Sequence, residues 1–148
     1  MGGTAGEFLR SRPNRDESFL FRRPRAFCIA HSALTMLIYH LVPQRFYARQ
    51  TKNAVYLPKP FLQEGFIHCT KRAGEMARVA NRFYKNERGP HIYLYIETKR
   101  VKAKIRYDDA AKQYPHIYGG LNHDAIVAIR PARRDAQGNF LPPEKLEN

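Results

Sequence analysis

The sequence predicts a small α+β domain with a mostly antiparallel sheet. Five or six short segments alternate apolar with polar residues or are rich in β-branched and aromatic residues, and two helical patterns lie early among them. This order differs from the regular alternation of strands and helices that is typical of a parallel sheet. With 148 residues, 43% of them hydrophobic, the chain is long and apolar enough for one domain with a core.

Residues 1–35 differ from the rest of the chain. Their glycines, prolines and six arginines show no sustained period of about 2 or 3.6 residues. We therefore expect residues 1–35 to be a basic, disordered extension and residues 36–148 to be a single α+β domain with a proline-rich C-terminal end. Met36 opens the first apolar segment, which leaves open whether the natural protein begins at that residue.

The first half of this domain contains a strand, a short helix, a second strand and a longer helix. Residues 36–42 are β-rich and end at a proline, which favours a helix over residues 44–50. Residues 65–70 alternate as a strand, and Thr70 is a candidate N-cap for a helix over residues 71–84. The apolar residues at helical spacing in that segment are Met76, Val79, Ala80 and Phe83.

The second half of the domain reads as three strands and a turn. Residues 91–97 are strongly β-branched and aromatic, and residues 101–107 alternate apolar with basic residues, as expected of a half-exposed strand. A hairpin through residues 98–100 is the simplest connection between these two strands. Residues 125–129 predict a last, buried strand, and residues 135–139 predict a turn.

The cysteines and the hydropathy pattern favour a soluble protein of the cytoplasm. Cys28 and Cys69 lie in no CxxC or similar pairing, so we expect both thiols to be free. The longest apolar stretch, residues 26–42, is interrupted by histidine, serine and threonine and is too short for a membrane span. Residues 22–30 resemble a signal peptide only weakly, because no small-residue cleavage site follows them.

Four of the six histidines lie in or beside apolar strands: His40, His68, His91 and His116. An imidazole in such a position costs desolvation energy unless it is hydrogen-bonded or used in chemistry. Any one of them is explained by a histidine at the core edge with satisfied ring nitrogens. Three such histidines near the ends of different segments together indicate a functional site.

The densest motif is the aromatic segment over residues 114–121. Its proline and its glycine pair favour a stiff loop that presents His116 and Tyr118 on one side. Two interpretations remain open, namely the wall of a site and a packed turn that leads into the last strand.

Several common chemistries are excluded or disfavoured by the motifs. The chain contains no P-loop, no GxGxxG, no GxSxG and no HExxH motif, and its scattered histidines carry no spacing typical of zinc ligands. We therefore expect no metal. His68 and Cys69 are neighbours in a predicted strand, so their side chains point to opposite faces and do not form a nucleophile and its base.

The chain is strongly basic, with 26 Lys+Arg against 13 Asp+Glu and a formal net charge of +13. Such a charge favours phosphate-rich partners. The cations cluster on the longer helix and on the predicted hairpin: Lys71, Arg72, Arg78, Arg82, Lys85, Arg88, Lys99, Arg100, Lys102, Lys104 and Arg106. This pattern fits either a solvated surface or a surface that binds a nucleic-acid backbone while interleaved tyrosines stack on bases.

Four segments resemble a known family. Residues 38–41 (IYHL), 64–70 (EGFIHCT), 79–84 (VANRFY) and 114–121 (YPHIYGGL) are similar, in this order, to the small bacterial family known as domain of unknown function 952. The resemblance extends over residues 36 to about 142. It implies a fold like that of the ADP-ribosyltransferases, in which a split, mostly antiparallel sheet holds nicotinamide adenine dinucleotide (NAD) in a cleft. Relatives with that fold include the RNA 2′-phosphotransferases.

The resemblance also implies roles for individual residues. His40 matches a histidine that contacts the adenosine-side ribose, and His68 matches a Tyr or His beside the nicotinamide ribose. His116 and Tyr118 belong to the family's own loop motif, and Arg82 completes the pocket. The implied catalytic residues are His40, His68 and His116, and the implied binding residues are His40, His68, Arg82, Tyr84 and Tyr118.

One feature of the transferases has no secure equivalent in this chain. Their third motif contains a Glu that orients a ribose hydroxyl and stabilises a cationic transition state. Asp108 stands where members of the family commonly have Glu, but we do not equate it with that acid. Histidines and basic residues suit phosphate or nucleotide chemistry better, because they stabilise developing negative charge.

Two functional hypotheses follow from the sequence. The first is a nucleotide-handling enzyme whose histidine-lined cleft binds NAD, a phosphorylated nucleotide, a nucleic-acid end or a phosphorylated small molecule. The second is a non-enzymatic module that binds nucleotides or nucleic acid through its basic surface. Neither hypothesis involves a membrane.

Overall fold

The computed structural model describes residues 35–147. They form a small α+β arrangement of antiparallel sheets and few helices. The elements in chain order are β1 (Leu37–Pro43), α1 (Gln44–Ala48), β2 (Val55–Tyr56), α2 (Phe61–Glu64), β3 (Ile67–His68), α3 (Ala73–Phe83), β4 (His91–Glu97), β5 (Lys104–Tyr107), β6 (Pro115–Tyr118), β7 (Leu121–Asn122) and β8 (Ile126–Pro131). Except for Thr35, the extension predicted over residues 1–35 lies outside the described residues, as does Cys28.

The described strands divide into three sheets, and every pair in them is antiparallel. The first sheet has the order β1-β4-β8, the second pairs β2 with β7, and the third has the order β3-β6-β5. The central strand β4 is buried from His91 to Ile96, because β1 and β8 flank it and its two faces are both covered. The predicted strands over residues 36–42 and 91–97 are therefore confirmed as β1 and β4.

Alternate residues of β4 enter two different hydrophobic clusters, as the period of a strand requires. One cluster joins the first sheet to the other two sheets through Ile38, Tyr56, Ile67, Leu94, Ile96, Ile117 and Leu121. The other packs the opposite face of the first sheet against α3 and the C-terminal segment through Leu41, Met76, Ala80, Tyr93, Tyr95 and Phe140. The hydroxyl groups of Tyr93 and Tyr95 also donate hydrogen bonds to the carbonyl oxygens of Leu141 and Glu144, at 2.7 Å each.

The long helix predicted over residues 71–84 is confirmed as α3, but its start differs from the prediction. Arg72 is the N-cap and makes no side-chain capping hydrogen bond. Thr70 is buried instead, because its backbone pairs with that of Tyr39 at the outer edge of β1. The strand predicted over residues 65–70 shrinks to β3 for the same reason, and the short helix α2 in front of it was not predicted.

The hairpin predicted through residues 98–100 is wrong. A short 3-10 turn at Thr98–Arg100 leads the chain out of the first sheet, and β5 pairs with β6 rather than with β4. The buried side chain of Asn122 fixes this change of direction. Its amide group donates to the carbonyl oxygen of Arg100 at 2.9 Å, and its oxygen accepts from the backbone N–H of Lys102 at 2.9 Å.

The last strand predicted over residues 125–129 is confirmed, but its predicted burial is wrong. The strand is β8, which occupies the edge of the first sheet and is only partly buried before its exposed end. Ile129 is 38% exposed. An apolar sequence alone does not distinguish an edge strand from a central one, because both pack one face against the core.

The two turns singled out by sequence have clear physical causes. The predicted turn over residues 135–139 is confirmed, with the Asp135 carboxylate accepting from the backbone N–H groups of Gln137 and Asn139. At the end of β6, a Cβ on Gly120 would lie 2.4 Å from Val55 Cγ2, so only glycine fits there. Its neighbour Gly119 has φ 151°, which a residue with a side chain rarely adopts.

Candidate functional site

A cleft of about 1360 Å³ lies along the outer edge of β1. Its walls are formed by β1, by α3, by the loop between β2 and α2, and by the histidine-bearing strands β3 and β6. Of the residues assigned from the sequence, the cleft is lined by His40, His68, Arg82, Tyr84 and His116. The structure therefore brings the three candidate histidines to one cavity.

His68 and His116 face each other across the pair of strands β3 and β6. The two residues are direct cross-strand partners, so their side chains lie on the same face of the sheet. Their ring centroids are 5.1 Å apart, and the ring planes are perpendicular at 89°. The His68 side chain is 53% exposed and that of His116 is 17% exposed. Both imidazoles are accessible to a ligand in the cleft.

Each of these imidazoles is held by a carboxylate through one ring nitrogen. His68 Nε2 lies 2.7 Å from Glu64 Oε2, and His116 Nδ1 lies 3.0 Å from Asp108 Oδ2. Within residues 35–147, His68 Nδ1 and His116 Nε2 make no hydrogen bond. The pair thus has two ring nitrogens that remain available for a ligand.

Asp108 is the best-connected acid of the site. Its Oδ2 atom accepts from the hydroxyl group of Tyr118 at 2.8 Å in addition to its contact with His116, and Arg106 Nε lies 3.4 Å from its Oδ1. The hydrogen bonds from His116 and Tyr118 hold the pKa of Asp108 below its usual value, so this group is a carboxylate at neutral pH. Tyr118 therefore acts on the site through Asp108.

Phe66 supports the histidine pair. Its ring stacks on His116 with centroids 4.3 Å apart and contacts His68 edge-on at 4.8 Å. The preceding Gly65, at φ 76°, ends α2 in a left-handed conformation that glycine adopts without strain. This turn places Glu64 and His68, four residues apart, in contact with each other.

His40 lies behind the pair and is buried, with only 7% of its surface exposed. Its Nδ1 donates to the carbonyl oxygen of His68 at 2.7 Å, and its Nε2 accepts from the hydroxyl group of Tyr56 at 2.9 Å. Burial lowers the pKa of His40 to about 4, so the ring is neutral at physiological pH. Both ring nitrogens of His40 are therefore engaged inside the protein.

The helix side of the cleft carries charge of both signs. Arg78 and Arg82 line this wall, and Glu75 accepts hydrogen bonds from Arg78 at 2.9 Å and from the hydroxyl group of Tyr114 at 3.1 Å. The Tyr84 ring is partly buried, which raises the pKa of its hydroxyl group. Arg82 and Tyr84 thus belong to the same cavity as the histidine pair and lie at the C-terminal end of α3.

Four contributors to the site were not assigned from the sequence: Glu64, Phe66, Tyr56 and Glu75. Glu64 and Phe66 lie inside the segment 64–70 that was singled out for its histidine, so the motif itself is the signal that could have identified them. Tyr56 and Glu75 have no such signal, because they reach the site only through the pairing of strands and the docking of α3.

The remaining candidate residues are accounted for by packing. Cys69, which follows β3, is a free thiol buried in the hydrophobic cluster that joins the three sheets, and desolvation raises its pKa. His91 is buried, and its ring nitrogens lie 3.1 Å from the Gly89 carbonyl oxygen and 3.1 Å from the Glu87 carboxylate.

In residues 35–147 no three His, Cys, Asp or Glu side chains are grouped so as to hold a metal ion. No described helix is long and apolar enough to cross a membrane.

Comparisons with known proteins agree on a family and a fold. The crystal structure of protein CC0527 from Caulobacter crescentus is 17% identical and covers 70% of this chain and 92% of its own, with a TM-score of 0.62. The solution NMR structure of the same protein is 17% identical and covers 71% and 91%, with a TM-score of 0.59. At this identity the likeness is one of fold alone.

No curated protein matches the chain. The model of the family described as "Protein of unknown function (DUF952)" matches residues 41–129, which include the end of β1, α3 and the strands β3 and β6 that carry the histidine pair. This match spans more than half of the chain and contains three of the four sequence motifs that carry the resemblance, together with Leu41 of the first. The chain therefore belongs to the DUF952 family.

Proposed function

We propose that the cleft binds a phosphorylated nucleotide, with NAD among the candidates, and that His68 and His116 act on it as a general acid and a general base. One observation supports this function most directly: two accessible imidazoles lie 5.1 Å apart, and each has one nitrogen held by a carboxylate and the other without a hydrogen bond among the described residues. Catalytic imidazoles need this combination of a fixed orientation and an available nitrogen.

The carboxylates determine which nitrogen of each imidazole is available for proton transfer. A neutral His116 donates its Nδ1–H to Asp108, which leaves the lone pair of Nε2 to accept a proton. A neutral His68 donates its Nε2–H to Glu64, which leaves the lone pair of Nδ1. If one ring is protonated while the other is neutral, the pair removes a proton from one oxygen and gives a proton to another. Transfer reactions at a phosphate or a ribose need both steps.

In this proposal, the cations around the cleft bind the phosphate groups of the ligand. Lys59, Arg78 and Arg82 line the cavity, and the net charge of the whole chain is +13. Guanidinium and ammonium groups bind phosphate strongly, because charged hydrogen bonds are stronger than neutral ones. Arg82 and Tyr84, at the C-terminal end of α3, are the proposed contacts to the part of the nucleotide that does not react.

We assign His40 a positioning role. Its two nitrogens bind Tyr56 and the backbone of His68, so a ligand contact through them would require one of these buried hydrogen bonds to break. His40 therefore holds β3, and with it His68, at its place beside the cleft. Nucleotide binding therefore depends on His40 indirectly, because His40 positions His68.

Among the reactions implied by the resemblance to ADP-ribosyltransferases and RNA 2′-phosphotransferases, transfer at a phosphate suits this site best. His116 and Tyr118 engage Oδ2 of Asp108, and His68 engages Oε2 of Glu64, so each carboxylate already orients an imidazole. Imidazolium and guanidinium groups instead stabilise the negative charge that develops on phosphate oxygens. The fold likeness is an analogy and adds to this argument only as such.

Calorimetric titration of the full chain with NAD, ADP-ribose and a 2′-phosphorylated oligonucleotide tests the proposed function. The variant is His68→Ala combined with His116→Ala, and the matched control is His123→Ala, which removes a partly exposed histidine outside the cleft lining. We expect saturable binding of at least one ligand to the wild type and the control, and at least about a tenfold loss in the double variant. Equal affinity in the double variant would contradict the proposed site.

A product assay on the ligand that binds separates an enzyme from a binding module. Turnover that disappears in the double variant supports the acid–base pair. Binding without turnover would favour the second hypothesis, in which the same cleft recognises a nucleotide but performs no chemistry.

A further inference from the structure

The solvent face of the sheet β3-β6-β5 continues from the histidine pair towards a row of cations. Arg106 is the cross-strand partner of His116 on one side, and His68 is its partner on the other. One step further along the same two strands, Lys104 is the partner of Tyr118. Histidines, an aromatic ring and two cations therefore share one face, because alternate residues of paired strands point the same way.

The cations of this face are exposed and regularly spaced. Lys104 and Arg106 are exposed and, as alternate residues of β5, lie about 6.8 Å apart on the same face. Lys102, two residues before Lys104 and just outside β5, is exposed as well. The row leads away from the cleft, since neither Lys104 nor Arg106 lines it. A free mononucleotide in the cleft has no phosphate that reaches along such a row.

The Tyr118 ring lies within this row and is open to solvent. It is 37% exposed, and the guanidinium carbon of Arg106 lies 5.4 Å from its centroid. An exposed aromatic ring among cations is the combination with which proteins bind single strands, since the cations follow the phosphates while the ring stacks on a base. Asp108 partly neutralises Arg106, and Asp124 partly neutralises Lys102, which leaves Lys104 as the main contact to phosphate and Lys102 as a second one.

We propose that this face binds a single-stranded nucleic acid and that one of its nucleotides enters the histidine cleft. This inference rests on the proposed function and names its substrate class: a polymer rather than a free nucleotide. The strand would follow Lys102 and Lys104, stack a base on Tyr118, and present the next phosphate to Arg106, beside His116.

Fluorescence anisotropy with labelled single-stranded RNA and DNA of about 12 nucleotides tests this inference on the full chain. The variant is Lys102→Gln combined with Lys104→Gln. The matched control, Lys52→Gln combined with Lys145→Gln, removes two exposed lysines elsewhere and so changes the net charge equally. Because each phosphate contact to a single strand contributes about 0.7 to the salt slope, we expect the slope to fall by roughly 1.4 in the variant.

Tyr118 provides the second arm of this experiment. Tyr118→Leu removes the ring and should weaken binding by about tenfold or more, whereas Tyr118→Phe keeps the ring and should retain affinity for the strand. If neither oligonucleotide binds, or if both lysine pairs lower affinity and slope equally, the inference is wrong. If the wild type binds a nucleotide at His68 and His116 but binds no oligonucleotide, the inference about the strand surface is wrong and the proposed function stands.

Discussion

His40 and the pair His68–His116 show how differently one residue type is used within a single cleft. His40 is 7% exposed and has both ring nitrogens bonded inside the protein. The side chains of His68 and His116 are 53% and 17% exposed, and each keeps one nitrogen without a hydrogen bond among the described residues. A histidine near the end of an apolar strand is therefore not evidence of chemistry until the partners of its two nitrogens are known.

Because of this difference in burial, we expect mutations around His40 to change stability and mutations around His68 and His116 to change ligand binding. Changes at His40 and Tyr56 act on the free energy of unfolding, because they leave buried polar groups without partners. Changes at Glu64, His68 and His116 act on ligand binding and change stability little, because these groups are reached by water in the folded protein.

Replacement of the buried histidine has the largest effect on stability. His40→Ala removes a buried ring, creates a cavity and leaves the hydroxyl group of Tyr56 and the carbonyl oxygen of His68 without their partner. We expect the free energy of unfolding to fall by about 3 to 4 kcal/mol, measured by denaturant unfolding. His68→Ala is the matched control and should lower it by less than about 1 kcal/mol. Equal losses in the two variants would contradict the contrast between buried and exposed histidines.

Acid should destabilise the protein through His40. The folded-state pKa of about 4 lies below the unfolded value of 6.5, so the stabilisation is fully present above about pH 6.5 and is lost as the pH falls towards 4. The loss from this group is roughly 3 kcal/mol over that range. His40→Gln does not titrate, so the difference in unfolding free energy between wild type and variant should shrink by this amount from neutral pH to about pH 4. A constant difference would show that His40 does not titrate as described.

Removal of the hydroxyl group that binds His40 has a smaller effect. Tyr56→Phe keeps the ring in the core but leaves Nε2 of His40 without a donor. We expect a loss of about 1 to 2 kcal/mol in the free energy of unfolding. Tyr47→Phe removes the hydroxyl group of a second buried tyrosine in the same cluster, one that makes no side-chain hydrogen bond within residues 35–147, and should cost less. A smaller loss for Tyr56→Phe than for Tyr47→Phe would argue against the hydrogen bond to His40.

Replacement of Glu64, the carboxylate beside His68, should have the smallest effect on stability and a larger effect on ligand binding. Glu64 is 42% exposed, and exposed ion pairs contribute little, so Glu64→Ala should change the free energy of unfolding by less than about 1 kcal/mol. The same substitution frees the His68 ring from its orientation, and we expect the affinity for the nucleotide to fall several-fold. Calorimetry and denaturant unfolding on one preparation measure both effects.

The sequence was sufficient for the elements whose pattern is local. Periodicity located β1, β4 and α3, and the run of Asp, Gly and Asn located the turn at residues 135–139. The pairing of the strands, in contrast, depends on residues that are distant in the sequence. The hairpin after β4 was predicted wrongly because the deciding contact is the side chain of Asn122, more than 20 residues further along the chain. The edge position of β8 likewise depends on which strands pair with β4 and not on its own composition.

The site was predictable in its residues but not in their roles. Three histidines near the ends of different segments indicated a functional site, and the structure places His40, His68 and His116 in one cleft. Which histidine is buried depends on Tyr56, which arrives on a strand of another sheet, and which nitrogens are occupied depends on Glu64 and Asp108. These contacts arise from tertiary packing, so no spacing in the sequence distinguishes His40 from its neighbours.

The most direct test of this division is an NMR measurement of the imidazole nitrogens of all three histidines. At about pH 7, long-range correlation spectra of nitrogen-15 labelled protein are recorded with and without the nucleotide that binds. We expect His40 to be neutral with its proton on Nδ1 in both states, while the signals of His68 and His116 shift saturably with ligand. A ligand-dependent change in the protonation of His40, with His68 and His116 unchanged, would contradict the account.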